Sequence, residues 1–184
     1  MLRNRDREKL IQIIVFFARN TQVLGKIKLF KLLYLLDFEH FRATGRSVTG
    51  LEYRAWKFGP APESLYQEWD ELEPDLSAAI EIRPERVYDY SRETVIPRTE
   101  FDDRHFTKRE LRLMGEIAQT YYDVHSPKMI DVTHAENGAW AKVWRDGEGS
   151  DQPIPYALAV ADNEPNRAAI LEAAREYDAI SQRH

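Results

Sequence analysis

"LLYLLDFEHF", residues 32–41, decides the fold. The run is greasy enough to bury, yet Asp37 and His40 sit near its end. Either this helix holds a catalytic or metal-binding pair, or it is a core helix whose few polar groups are structural. Extending the run in both directions gives a helix over residues 26–43. Ile27, Phe30, Tyr34, Phe38 and Phe41 lie along one side, and Leu29, Leu32, Leu33 and Leu36 widen it. Lys28, Lys31, Glu39 and Arg42 fall on a narrow polar strip. Gly45 is the expected C-terminal cap, because glycine enters the left-handed region cheaply. Upstream, Leu10, Ile13, Ile14 and Phe17 recur at helical spacing, with Ile11, Val15 and Ala18 as a second apolar edge. This predicts a helix over 6–19, packed on more than one side. The two helices are expected to form a hairpin at the centre of the fold.

Downstream the composition changes. "LEYRAWKFGP", residues 51–60, alternates roughly and predicts a short strand stopped by Phe58-Gly59-Pro60. Pro60 and Pro62 suit the start of a third helix over 62–72. Residues 79–99 carry short alternating runs split by Pro84, residues 89–91 and Pro97, which predict two or three short strands pairing with 53–58. Thr107 and Glu110 make a capping box for a helix over 108–122. Ser126-Pro127 signals another short helix, with Ser126 as its cap, ending near His134. Residues 146–166 are dense in Gly, Pro and Asp and read as loop. A last helix over 166–181 puts Ile170, Ala174 and Tyr177 on one face and is the segment expected to move, docked on its own domain or on a partner. The whole predicts an α+β fold, mostly α-helical, with a central helical hairpin, surrounding helices and a small antiparallel sheet of short strands.

The 184 residues can bury a sizeable core without disulfides. No cysteine is present, which excludes a disulfide scaffold, a thiolate zinc site and a cysteine nucleophile. The start "MLRNRDREKL" lacks an apolar secretory segment, and no apolar run approaches the roughly 20 residues that span a bilayer, so a cytoplasmic protein is expected. The net charge of −5 is uneven: residues 1–60 hold 12 Lys/Arg against 5 Asp/Glu, and the remainder is acidic. The basic third motivates one alternative, a nucleic-acid-binding transcriptional regulator with Lys26, Lys28 and Lys31 at an exposed helix start.

Few groupings carry chemistry. Asp37 and His40, at i and i+3, could share a face, and His134 could join them as a two-His-one-carboxylate metal site. No HxxxH or HExxH spacing supports that. A buried Asp near a helix end more often accepts hydrogen bonds from Tyr, Trp, Arg or backbone amides, with Arg54 and Lys57 as candidate counter-charges. Asp37 is therefore read as structural, and no cofactor is assigned. No phosphate loop or nucleophile elbow exists, and the acids at Glu71, Glu73, Asp75, Asp102 and Asp103 read as solvated turns. Tyr53, Trp56, Phe58, Tyr66 and Trp69, beside Arg54 and Lys57, have the composition of either a core or an interface centre. Trp140 and Trp144, at i and i+4, could form an aromatic ridge.

Several linked motifs resemble one family. Residues 28–69 are similar to the signature of the Panacea domain, found in SocA-like antitoxins: a K-L-x-K-L-L-Y helix, a turn ending in T-G, an aromatic stretch ending in G-P, and a following helix. The matches are Lys28, Leu29, Lys31 to Tyr34, Gly45, Thr49, Gly50, Trp56, Gly59 and Pro60. Thr133, His134, Glu136, Ala139 and Trp140 echo a later T-H-x-E-x-x-A-W element, and "QPIPYAL" at 152–158 is similar too. The resemblance covers roughly residues 10–160, and suggests a Panacea-like domain over 1–160 with a C-terminal helical extension over 161–184. It implies a non-enzymatic antitoxin that neutralises a cognate protein toxin by direct binding, with delivery to a ClpXP-type protease in one branch. Tyr53, Arg54, Trp56, Lys57, Tyr66 and Trp69 are the candidates for toxin contact. Tyr34, Asp37, Gly59, Pro60, His134 and Trp140 are the expected framework.

Overall fold

The structure is a computed structural model and describes residues 4–87, 90–134 and 138–181. The chain runs α1 (Asn4–Asn20), α2 (Lys26–Thr44), β1 (Tyr53–Trp56), β2 (Gly59–Pro62), α3 (Glu63–Gln67), α4 (Pro74–Ala79), β3 (Ile80–Val87), β4 (Tyr90–Pro97), α5 (Lys108–Thr120), α6 (Ser126–Thr133), α7 (Ala139–Trp144) and α8 (Arg167–Ser181). It is an α+β fold, mostly helical, with two small antiparallel sheets. No described helix is long and apolar enough to cross a membrane.

Leu10, Ile13, Ile14 and Phe17 of α1 share one core with Leu29, Leu32, Leu33 and Leu36 of α2. All eight are fully buried. α2 is the axis of the molecule: α5, α6, α8, β2, β4 and the turn at Tyr156–Ala159 all pack on it. It ends as read, with Gly45 at φ 73° donating its amide to the Phe41 carbonyl at 2.8 Å. Gly45 also seats α8: a Cβ there would stand 2.5 Å from the Ile170 carbonyl oxygen. α8 thus docks on its own domain, with Arg46 4.6 Å from the Tyr177 ring centroid, although none of its described side chains is fully buried.

The capping box is present, and it reaches further than helix α5. Glu110 Oε2 accepts the Thr107 amide at 2.7 Å while Oε1 accepts Lys9 Nζ at 2.5 Å, tying α5 to α1 in a buried ion pair.

Several local readings are corrected. β1 pairs with β2 rather than with the 80–97 ribbon, so two sheets replace one. Gly59 and Pro60 therefore lie in a strand: Pro60 and Pro62 are tolerated because β2 is an edge and their partners Ala55 and Tyr53 bond outward, to the Gln152 carbonyl and the Ile154 amide. The third helix stops at Gln67 instead of 72, because the chain turns to bring Trp69 inward, edge-on to Phe30 at 5.4 Å. Pro74 then opens α4, where Asp75 and nearby Glu68 clamp Arg7 from both sides, at 2.8 and 2.5 Å. Asp75 thus has a partner while staying exposed, and Glu71 and Glu73 are exposed, as solvated turns would have them. At α6, His125 rather than Ser126 holds the cap position. The proposed strand break at Asp89 and residues 135–137 of the later motif lie outside the described residues.

Candidate functional site

Helix α2 carries a polar residue at every third position: Lys28, Lys31, Tyr34, Asp37 and His40. At about 100° per residue, each step turns by about −60°, so the five sweep about 240° around the helix. All five are buried. Each therefore faces a different neighbouring segment, and each secures it.

Lys28 Nζ donates to the carbonyls of Gln22 and Tyr122, at 3.1 and 2.9 Å, joining the α1–α2 turn to the end of α5. Lys31 Nζ donates to the Pro60 carbonyl at 2.9 Å and so holds β2. Burial with one neutral acceptor brings the Lys31 ammonium down to about 7. Tyr34 accepts the Trp140 amide at 3.2 Å, and burial pushes its phenol up to about 12. His40 Nδ1 lies 2.7 Å from the Arg46 carbonyl.

Asp37 is the most heavily committed. Its Oδ1 accepts the Val48 and Thr49 amides, both at 2.8 Å. Its Oδ2 accepts Tyr53 OH at 2.8 Å and the Thr49 hydroxyl. Burial pushes the carboxyl up while these donors pull it down, leaving it above the usual carboxylate range. Tyr156 closes the hub, its ring tilted on Phe38 at 4.7 Å and its hydroxyl donating to the Leu51 carbonyl at 2.5 Å. The structural reading of Asp37 stands, but not through the expected cations. Arg54 pairs with Glu63 at 2.8 Å and Lys57 is exposed. Neutral donors from the T-G turn take their place.

The metal reading fails on the same geometry. Asp37 is occupied by residues 48–53, whereas His134 faces Gly59, and no described His, Asp and Glu residues gather as a metal-holding group. The recognition-helix reading loses two of its three lysines: Lys28 and Lys31 are 1% and 3% exposed and cannot reach a phosphate. The polar strip on α2 is reduced to the surface pair Glu39–Arg42 at 2.7 Å.

Gly59 is where the later motif joins. Its φ of 98° favours glycine. A Cβ there would lie 2.8 Å from Lys31 Nζ, 3.0 Å from Thr133 Oγ1 and 3.1 Å from His134 Nε2. The His134 ring stacks on Trp140 at 3.8 Å and 4°, and Trp140 stacks in turn on Trp144 at 5.5 Å. Trp140 Nε1 donates to the Trp56 carbonyl at 3.0 Å, returning to β1. Burial and the neighbouring Lys31 both lower the His134 imidazole. Gly59→Ala is expected to cost about 2–3 kcal/mol, from a strained φ and a displaced Lys31. The cost should shrink in a Lys31→Ala background, as urea midpoints of the four variants of the cycle will show.

The six candidate contact residues divide. Tyr53 and Trp69 are core, at 1% and 2% exposure: Tyr53 serves Asp37, and Trp69 Nε1 donates to Glu93 at 2.9 Å. Their large apolar area favoured the interior over a partner. Arg54, Trp56, Lys57 and Tyr66 remain on or near the surface around the β1–β2 hairpin. Trp56 meets Tyr66 edge-on at 4.5 Å, and Lys26 sits 4.6 Å from the Tyr66 centroid.

A family model described as antitoxin SocA-like, Panacea domain, matches residues 29–141, well over half of the chain. The match opens in α2 and closes in α7, leaving α1, residues 152–158 and α8 outside it. Searches of curated proteins and of solved structures returned no match. The matched span contains the lysine–tyrosine–aspartate spiral of α2 from Lys31 onward together with the T-G turn, the G-P strand and the T-H and A-W pairs that it holds. The chain therefore belongs to the SocA-like antitoxin family and carries its Panacea domain.

Proposed function

We propose that this chain neutralises a cognate protein toxin by direct contact, and that the contact lies on the face formed by Arg54, Trp56, Lys57 and Tyr66. Family membership supplies the antitoxin role in general. The observation that carries the specific reading is the display of aromatic and cationic side chains on a hairpin whose backbone is held from beneath by Lys31 and Trp140. Aromatic residues and arginine are enriched where protein interfaces concentrate their energy, and a pre-organised support lowers the ordering cost of binding. Neutralisation by occlusion requires no reacting group on the antitoxin, so the chain acts as a binding protein. The Panacea-like domain over 1–160 would be the neutralising unit, with 161–184 as an appended helix.

Co-expression with the product of the adjacent reading frame tests this. The expected result is growth arrest by that product alone and recovery when this chain is present. Persistent arrest with this chain soluble and abundant ends the reading.

A further inference from the structure

The tip of the β1–β2 hairpin is chemically odd. Trp56 pairs with Gly59, so Lys57 and Phe58 form a two-residue connection. Such connections normally use Asn, Asp or Gly. Here the positive φ is carried by Gly59, one position later, so the turn does not require phenylalanine for its geometry. Phe58 is nevertheless 62% exposed. Tyr66 is 46% and Ile27 40% exposed, with Ile27 one helical turn before Lys31 on the same side of α2. Tyr66 meets Trp56 of the same hairpin edge-on at 4.5 Å, and large apolar side chains left exposed around one hairpin are the kind of surface that docks a partner.

The charges around it select the partner. Arg54 is neutralised by Glu63, and Lys128 lies 3.8 Å from Asp131. Lys28 and Lys31 are buried. Lys26 and Lys57 have no ion pair among the described residues, and each instead leans on an aromatic ring, at 4.6 Å from Tyr66 and 5.9 Å from Phe58. An acidic chain of net charge −5 thus offers two unneutralised ammonium groups flanking exposed rings.

We propose that Phe58 is the anchor of the toxin contact, and that it enters an apolar pocket on the toxin whose rim is acidic and faces Lys26 and Lys57. This rests on the toxin-neutralising function above and adds to it the chemistry of the partner surface. A protein partner suits two cations set among aromatics. A nucleic acid would need a longer basic track to release counterions effectively.

The test measures binding of the purified adjacent-frame toxin to wild type, Phe58→Ala and the double variant Lys26→Glu/Lys57→Glu, at several salt concentrations. Phe58→Ala should weaken affinity by about 30-fold or more, with the melting curve unchanged because the ring is exposed. The charge reversals should slow association by about tenfold at low salt and flatten its salt dependence. Wild-type affinity retained in both variants overturns the inference while leaving neutralisation intact. Failure of the wild type to bind removes the parent reading and this one with it. Single-stranded RNA bound by wild type and lost in the variants, with toxin binding unchanged, assigns the patch to nucleic acid and also overturns the inference.

Discussion

Asp37→Ala is expected to melt about 10 °C below wild type and to lose about 3–5 kcal/mol of unfolding free energy, the largest loss from any single side chain of the α2 spiral. The substitution removes the acceptor of four hydrogen bonds at a site with no exposure. The Val48 and Thr49 amides cannot turn elsewhere, and each buried unpaired donor costs about 1–3 kcal/mol. The Thr49 and Tyr53 hydroxyls can rotate, which keeps the total below a simple sum. Asp37→Asn separates the causes. Its carbonyl oxygen can still accept both amides, and its NH2 group can donate to the two hydroxyls once they rotate. Asn should therefore recover more than half of the loss seen with Ala, as measured by urea unfolding. A loss with Asn equal to that with Ala would mean that the negative charge, not the hydrogen-bond pattern, holds residues 48–53. Because β1 starts at Tyr53, the Ala variant should also loosen the hairpin, seen as faster amide exchange at Ala55, whose amide otherwise donates to the Gln152 carbonyl at 2.9 Å.

Much of this architecture was legible in sequence wherever the physical signal was local. Helices α1, α2 and α5 follow from apolar spacing and from the Thr107–Glu110 box, and Gly45 caps as read because its positive φ is a property of one residue. Non-local decisions were not legible. The β1–β2 pairing lacks an Asn-Gly turn, and its prolines resemble a helix start. Nothing near Trp69 announces that Phe30 and Glu93 will draw it inward. The buried lysines are the clearest case. Lysine is a surface residue by default, and Lys28 and Lys31 share a strip with Glu39 and Arg42, which do remain outside. Only the three-residue repeat Lys28, Lys31, Tyr34, Asp37, His40 hinted otherwise, because a strip at that spacing winds around a helix and cannot stay on one face. The same geometry explains why the family's motifs are scattered along the chain. A polar spiral on a central helix needs one partner from each surrounding segment: the T-G turn for Asp37, the G-P strand for Lys31, and the A-W pair for Tyr34. The exposed residues around the β1–β2 hairpin carry no such periodic signal, and so composition alone could not separate Tyr66 from Tyr53.

Lys31→Met should remove a pH dependence that the wild type displays. In the unfolded chain a lysine titrates at about 10.4, whereas burial brings Lys31 to about 7 in the fold. Between those values the unfolded state binds more protons than the native state, so stability rises with pH across that window. Below about 7 the lysine is protonated in both states and its contribution is flat, at its least favourable level. The full swing from this one residue is on the order of 4 kcal/mol, approached only near pH 10. Burial lowers Lys28 as well, in the same sense, so a smaller slope should survive in the variant. Above about 10 the trend should reverse in both proteins, because the buried phenols of Tyr34, Tyr53 and Tyr156 resist ionisation that the unfolded chain allows. His134 contributes below its ordinary value of 6.5, outside the lysine window, since burial and Lys31 both lower it. Urea unfolding of wild type and Lys31→Met at pH 6.5, 8 and 9.5 measures the difference directly. Parallel curves across that range would show that Lys31 keeps its proton at ordinary pH, bound as a full ammonium to the Pro60 carbonyl. In that case His134, stacked on Trp140 beside the same Gly59, would have to remain neutral against a permanent neighbouring charge, and the methionine variant should raise the His134 titration seen by NMR.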